Sequence, residues 1–226
     1  MNFFVNREAA EKTAHDVELR GGVPHLLQAD LKEPAEIKRL VAEIKNRAGR
    51  LDVVVSNAAS GVLRDGLELS PKQWDWVMAT NARALLILAQ EASRIMTPGG
   101  RIIALSSLGS QRVIPAMRRS ACRRPRSRGS RATSPSSSAR KGITVNTVSA
   151  GAVETDVWQA MPDGTAALAA IRERTPGGAL VTADEVAGVV YFSREPGGAG
   201  DPGAGPDGGR WVLAPRLTRA RAGGSS

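Results

Sequence analysis

The stretch Leu51–Gly61, LDVVVSNAASG, decides the fold that this sequence predicts. Val53–Val55 is a continuous β-branched run, which is typical of a strand buried on both faces of a parallel sheet. Residues Ser56–Gly61 then carry almost no side-chain bulk. Ligands of parallel sheets bind at the carboxyl ends of the strands, where so flat a turn would let a ligand lie against the backbone beside the Asn57 amide. A tight strand-to-helix turn without a ligand is the alternative, and this fragment taken alone favours it.

A second stretch, Arg101–Ser107 (RIIALSS), repeats the pattern of an apolar strand that ends in hydroxyls. Between the two strands, Ser70–Gln73 forms a capping box with proline at the first helical position. We expect this box to begin a long helix that passes Asn81 and reaches Ala92. Two strands that end in small polar turns, separated by one helix, predict a single crevice at the carboxyl edge of the sheet.

The rest of the chain alternates apolar strands with helical stripes. Strands are predicted at Asn2–Val5, Val23–Ala29 and Gly142–Ser149. Apolar residues at helical spacing predict helices in 10–19 and 37–44, and a second capping box at Thr182–Glu185 begins another. This alternation predicts an α/β fold, a doubly wound parallel sheet with right-handed crossovers, in a single domain that covers 1–226.

The formal net charge of +9 is concentrated in one segment. Ten of the 31 basic residues and no acidic residue lie in 112–141, so the rest of the chain carries 21 basic against 22 acidic residues. The segment 113–141 is rich in Arg, Ser and Pro and has no apolar helical stripe. The range 193–226 is rich in Gly, Pro and Arg, which predicts poor order.

Cysteine usage and the apolar pattern bear on the compartment. Cys122 is the only cysteine, which excludes an internal disulfide and fits a reducing environment. No apolar run approaches the roughly 20 residues of a membrane span. The acidic Glu8 and Glu11 follow the start at once, which argues against a secretory signal. We therefore expect a cytoplasmic protein that does not enter a membrane.

The NAAS turn at Asn57–Ser60, Asn81 in the following helix and the SSLGS turn at 106–110 resemble the short-chain dehydrogenase/reductase family. Leu51–Ser110 is most similar in pattern to its enoyl-acyl carrier protein reductase III branch, which depends on NADPH. The resemblance implies a Rossmann-like oxidoreductase that reduces the C=C bond of an enoyl thioester in fatty acid biosynthesis. It also implies an acyl carrier protein thioester as partner and a homo-oligomeric assembly.

The resemblance implies which residues would hold NADPH. Arg7 stands where NAD-preferring relatives carry an acid, so its guanidinium would pair with the 2′-phosphate; a solvated arginine at a helix start is the alternative. Asp30 and Leu31 match the pair that contacts adenine. The turn beside the adenine ribose comprises Asn57, Ala58 and Ala59, and the turn at the nicotinamide half comprises Gly151, Val153 and Thr155.

The resemblance also implies catalytic positions. Asn81 matches the helix asparagine that anchors an active-site water, although a kinked helix or a buried amide would explain it equally well. Ser107 matches the serine that orients the substrate carbonyl. The family's proton-donating tyrosine and its lysine are expected at 117 and 124, where this chain has Met117 and Arg124. Methionine has no proton to give, and the only tyrosine, Tyr191, falls in another predicted helix.

Two departures from the family pattern shape the functional expectation. The chain enters at the family's second strand, so the first strand, the glycine-rich phosphate turn and the first helix are expected to be missing. Between Arg112 and Gly142 the resemblance breaks while the length is kept. Reading the codons from Ala116 one nucleotide back permits Tyr and Lys at the family spacing. A reading-frame error is therefore the expected origin of 113–141, and a second one is expected in 193–206.

Three hypotheses about function stay open. The first is an enoyl-thioester reductase by lineage, and the second is a catalytically defective remnant of one. The third is a basic protein that binds RNA, DNA or acidic membranes through 113–141, a segment without interleaved aromatic residues for base stacking. We expect adventitious polyanion binding in any case, and no metal site.

Overall fold

The computed structural model of the chain describes residues 1–62, 66–107, 141–155, 158–159, 161, 163–194 and 210–212, the last three by their backbone alone. Helices and strands alternate, and every strand pair is parallel. The α/β class with a parallel sheet in a single domain is therefore confirmed.

The first part of the chain builds a two-stranded sheet and two helices. Strand β1 (Asn2–Phe3) is followed by α1 (Arg7–Leu19), β2 (Leu27–Gln28) and α2 (Pro34–Ala48). The apolar spacing of α2 buries its inner face, which packs on β2 in a cluster of Leu27, Ala29 and Leu40. The helix ends at Gly49, whose φ of 73° lies in the left-handed region that favours glycine.

The central part supplies the longest strand and an interrupted helix. Strand β3 (Leu51–Ser56) leads to α3 (Pro71–Met78), a π-helical segment (Ala79–Arg83), α4 (Ala84–Ile95) and β4 (Met96–Ser107). The capping box forms, because the Ser70 hydroxyl accepts from the Gln73 N–H and the Gln73 side chain accepts from the Ser70 N–H. The sequence predicts this long helix but not its π-helical turn.

The last part contributes two strands and two helices. They are β5 (Thr144–Ala150), α5 (Gly164–Glu173), α6 (Ala183–Phe192) and β6 (Arg210–Val212). The second capping box also forms, between Thr182 and Glu185. Helix α5 is not among the sequence predictions, and β6 lies within the range 193–226.

The strands form two separate sheets. One contains β1 and β2, and the other has the order β3-β4-β5-β6. Helix α4 covers one face of the larger sheet, where Ala89 and Ala92 pack with Val54 and Ile102. In the described ranges β1 and β3 are not paired with each other. Each of them therefore has a neighbouring strand on one side alone.

Two predictions about strands are wrong in part. Val54 is buried against α4, but Val55, which points to the opposite face, is 45% exposed. The run Val53–Val55 is therefore buried on the face that packs against α4 and open on the face that carries Val55, since no described helix buries Val55. The strands predicted at Asn2–Val5 and Val23–Ala29 form over two residues each, because only Asn2–Phe3 and Leu27–Gln28 pair with each other among the described residues.

Candidate functional site at the carboxyl edge of the sheet

The carboxyl ends of three strands meet at one edge of the larger sheet. Ser56, the last residue of β3, lies opposite Ala104 in β4. Ser107, the last residue of β4, lies opposite Ala150 at the end of β5. The turn after β3, the Ser107 hydroxyl and the loop after β5 therefore border the same edge, which is where parallel sheets bind ligands.

The turn after β3 is small and exposed, and one side chain braces it. Asn57, Ala58 and Ala59 are all exposed. The N–H of Ser60 donates to Asn81 Oδ1 at 2.8 Å, and Asn81 Nδ2 donates to the Ser60 carbonyl at 2.7 Å. One amide thus satisfies both backbone groups of Ser60 and fixes the end of the turn to the helix.

Asn81 reaches this turn from the middle of the π-helical segment Ala79–Arg83. A π turn carries an extra residue within the helical repeat, and such turns are frequent at functional sites. Of the roles considered for Asn81, the structure displays an amide that is hydrogen-bonded within the fold, in a helix interrupted by a π turn. The anchoring of a water by Asn81 stays a prediction.

Hydroxyl groups line the paired ends of β4 and β5. Ser107 is half-buried, and Ser106 beside it is buried. On β5, several buried polar atoms have no hydrogen-bond partner among the described residues: Thr144 Oγ1, Asn146 Nδ2, Thr147 Oγ1 and Ser149 Oγ. Buried polar groups usually have a partner, so this strand is polar beyond what its own sheet satisfies. All four residues lie in the strand predicted at Gly142–Ser149, which the sequence predicts as apolar.

The loop after β5 carries the predicted positions Gly151, Val153 and Thr155. Val153 forms an isolated parallel bridge with Val181, just before α6. Its carbonyl also accepts a hydrogen bond from the indole N–H of Trp158 at 2.8 Å. Trp158 is not among the residues predicted from the sequence; the available signal was a bulky aromatic residue three positions after Thr155 in a chain with few aromatic residues.

Arg7, Asp30 and Leu31 belong to the smaller sheet and its helices. Arg7 is the first residue of α1, and its guanidinium lies 3.6 Å from the Glu11 carboxylate with 63% of the side chain exposed. The Asp30 carboxylate accepts from the Lys32 N–H at 2.9 Å, and Leu31 packs against the cluster under α2. No strand pairing in the described ranges links these residues to the edge that carries Ser107.

A cavity of about 540 Å³ lies against β2 and α2, and its lining includes Phe4, Asp30, Glu36 and Arg39. The guanidinium of Arg39 donates to Glu36 at 2.7 Å and to the Gln28 carbonyl at 2.6 Å. The hydrogen bond from Arg39 lowers the pKa of Glu36. Of the predicted site residues, only Asp30 lines this cavity.

The positions expected to move protons are not part of this edge as described. Met117 and Arg124 lie outside the described residues. Tyr191 is on α6 with 62% of its surface exposed, and the Arg194 guanidinium stacks 3.9 Å from its ring centroid. The structure therefore offers no tyrosine hydroxyl beside Ser107 among the residues it describes.

Neither a metal cluster nor a membrane span is found in the described part of the chain. There, no three His, Cys, Asp or Glu residues are grouped so as to hold a metal ion. No helix within those ranges is long and apolar enough to cross a membrane.

Comparison with known proteins decides the family. A family model described as enoyl-(acyl carrier protein) reductase matches residues 3–195. The chain belongs to the short-chain dehydrogenase/reductase family. The resemblance seen in the NAAS and SSLGS turns is thereby confirmed, and the family is one of NAD(P)H-dependent oxidoreductases.

Three relatives of this short-chain reductase illustrate the match. The 1-cyclohexenylcarbonyl-CoA reductase of Streptomyces collinus is 34% identical over 200 residues, which are 83% of this chain and 69% of the relative. A short-chain dehydrogenase/reductase from Serratia marcescens superposes with a TM-score of 0.78 at 27% identity, covering 94% of this chain and 84% of that one. The angucycline C-6 ketoreductase LanV with bound NADP gives 0.72 at 25% identity, covering 93% and 82%.

The residues at the shared edge fit part of a nicotinamide dinucleotide. The exposed alanines of the turn after β3 leave its backbone open to a flat ring system. Arg7 belongs to the smaller sheet and its helices and not to this edge, and its exposed guanidinium has the charge that suits a phosphate. The 151–155 loop and the Ser107 hydroxyl lie at the same sheet edge, where parallel sheets bind ligands.

Proposed function

We propose that this chain is a short-chain reductase by lineage that binds NADPH and has lost the ability to reduce enoyl thioesters. The observation that supports it best is the register of β3, β4 and β5, which brings the turn after β3, Ser107 and the 151–155 loop to one edge. The expected proton-donor position, in contrast, carries Met117.

Each predicted residue has a role in this proposal. Arg7 pairs with the 2′-phosphate, Asp30 and Leu31 contact adenine, and the turn after β3 lies beside the adenine ribose. The 151–155 loop holds the nicotinamide half. Bound NADPH would supply a hydride, while the Ser107 hydroxyl donates a hydrogen bond that orients the thioester carbonyl. Asn81 keeps the turn in place through its two bonds to Ser60.

The proposed defect follows from side-chain chemistry. A thioether such as that of Met117 cannot protonate the substrate, and a positioned general acid contributes roughly 10²- to 10⁴-fold to a rate. Arg124 keeps a positive charge but not the compact ammonium of lysine. We propose a reading-frame error as the origin of 113–141, which the third codon bases of the coding DNA either permit or exclude.

An enoyl thioester is the proposed substrate class, carried by coenzyme A or an acyl carrier protein. The name of the Streptomyces collinus relative, 1-cyclohexenylcarbonyl-CoA reductase, denotes a thioester conjugated to a C=C bond. Reduction of a ring ketone is the second candidate, because LanV is named a ketoreductase. Parallel assays with 1-cyclohexenylcarbonyl-CoA and a cyclic aromatic ketone separate the two.

Binding of the cofactor is the first test. The purified protein is titrated into NADPH, and the blue shift and rise of NADPH fluorescence are followed. The signal should saturate below about 1 mM, within the usual range of KM values. Competition by 2′,5′-ADP should reverse the signal. A titration that stays linear to that concentration, with no effect of the competitor, contradicts the proposal.

Binding of nucleic acid is the competing hypothesis, and it rests on the ten basic residues of 112–141. Such contacts weaken steeply with salt, because phosphate neutralisation releases counterions. We expect any affinity for a random-sequence RNA to disappear between 50 and 200 mM salt, roughly the range over which several phosphate contacts lose most of their strength. Salt-resistant, sequence-selective binding would favour this hypothesis over the reductase lineage.

A further inference from the structure

One buried tryptophan is hydrogen-bonded to the loop after β5. Trp158 is 4% exposed, and its indole N–H donates to the Val153 carbonyl at 2.8 Å. Its backbone N–H donates to the Thr155 carbonyl at 3.1 Å. The side chain and the backbone of Trp158 therefore form hydrogen bonds with Val153 and Thr155, two of the three loop positions that match the nicotinamide turn.

Trp158 is itself fixed by the start of α5. A Cβ atom at Gly164 would lie 1.8 Å from the Trp158 carbonyl oxygen, far inside van der Waals contact. The close approach is possible only because position 164 has no side chain. The N–H of Met161 also donates to the same carbonyl at 3.3 Å. The Trp158 backbone thus has little room to move while α5 is in place.

The other contacts of the loop are weaker constraints. Val153 makes a single bridge with Val181, and the Glu154 carboxylate pairs with Arg172 at 3.1 Å. Both side chains of that ion pair are more than half exposed, so it contributes little order. Among the described contacts, the buried indole hydrogen bond is the one that a loop movement would break at the greatest cost.

We propose that Trp158 is the positioning residue of the 151–155 loop and thereby sets the affinity for the nicotinamide half of the cofactor. This inference rests on the proposed function, in which that loop meets the nicotinamide. Trp158 acts through the Val153 carbonyl and the backbone of Thr155, and it does not need to touch the ligand. Its effect is confined to one half of the cofactor, since the adenosine half lies on other elements.

The test uses the variant Trp158→Phe, which keeps an aromatic ring but removes the indole N–H. Hydrogen–deuterium exchange of the 151–155 amides should rise by about fivefold, as expected for one lost hydrogen bond, while β5 stays protected. The Kd for NADPH should rise by a similar factor, whereas the Kd for 2′,5′-ADP, which has no nicotinamide, stays the same. Trp76→Phe is the matched control, because Trp76 is 39% exposed on α3.

A second variant pair separates this role from general destabilisation. Gly164→Ala displaces the Trp158 carbonyl without altering the indole. It should weaken the binding of NADPH but not that of 2′,5′-ADP. Gly188→Ala is its control, since a Cβ there meets open space within α6. If either variant weakens the binding of both ligands equally, the inference is overturned. An unchanged exchange rate of the 151–155 amides in Trp158→Phe overturns it as well. If the unmodified chain binds neither ligand, the proposed function fails, and the exchange data alone decide whether Trp158 orders the loop.

Discussion

Asn81 joins two elements through the two ends of a single amide. Asn81→Ala leaves the N–H and carbonyl of Ser60 without their partners, so we expect the free energy of unfolding to fall by about 1–3 kcal/mol. Urea denaturation followed by circular dichroism measures the change. Asn46→Ala, at an exposed position on α2, is the control and should be close to neutral. An unchanged midpoint for Asn81→Ala would show that the brace contributes nothing.

Arg7 decides between the two nicotinamide cofactors in this account. Arg7→Gln removes the charge proposed to face the 2′-phosphate, so affinity for NADPH should fall about tenfold, the equivalent of one charge-assisted hydrogen bond. Affinity for NADH, which lacks that phosphate, should not change. Arg20→Gln at the other end of α1 is the control. Parallel fluorescence titrations report both constants, and an equal loss for the two cofactors would remove Arg7 from the phosphate site.

Single residues differ in how far the sequence could place them. Ser107 and the turn at Asn57 end apolar strands, and parallel pairing then puts them at one edge without further information. The partner of Trp158 could not be foreseen, because its hydrogen bond to Val153 depends on how the chain folds back after β5. The hydrogen bonds of the Asn81 side-chain amide were only one of several alternatives, since they depend on a π turn with no clear local signal.

At the scale of elements, the two capping boxes are the most reliable local signals. The Thr182 hydroxyl accepts from the Glu185 N–H at 3.2 Å at the start of α6. Thr182→Ala should lower the free energy of unfolding by about 1 kcal/mol, the usual effect of a lost N-cap. Thermal unfolding measures it. Thr13→Ala, which removes a hydroxyl inside α1, should have a much smaller effect, and equal effects would contradict the assignment of the cap.

Strand β3 has one buried and one open face at neighbouring valines. Val55→Lys places a charge at a position that is 45% exposed and should change the free energy of unfolding by no more than about 0.5 kcal/mol. It should also reduce aggregation, because a lysine on an edge strand discourages pairing with another chain. Val54→Lys, in the cluster under α4, should abolish folding. Light scattering and circular dichroism distinguish these outcomes, and similar behaviour of the two variants would refute the facing of β3.

Element lengths were harder to predict than element types. The strands at Asn2 and Val23 are short because a strand forms only where a neighbour completes the ladder, and in the described ranges β1 and β2 pair over two residues. Helix α5 was missed, because its sequence, GTAALAAIRE, has only two large apolar residues and so a weak apolar stripe. The long helix from Pro71 was found through its capping box, whereas the π turn inside it was not.

At the scale of the whole molecule, a nearly neutral α/β domain carries one strongly basic segment and two separate sheets. The larger sheet retains the edge at which three strand ends converge. The residues proposed for the adenosine half are divided between this sheet and the smaller one. Under this proposal we expect cofactor binding to depend on both sheets and NADPH to raise the unfolding temperature of the protein by mass action.

The measurement that tests this account most directly is the oxidation of NADPH at 340 nm with 1-cyclohexenylcarbonyl-CoA, under conditions in which binding of NADPH has been established by titration. We expect saturable binding and no oxidation above the rate without protein. The double variant Met117→Tyr with Arg124→Lys, assayed beside it, tests whether those two side chains suffice to restore turnover. Steady turnover by the unmodified chain would contradict the claim that its proton-moving groups are lost.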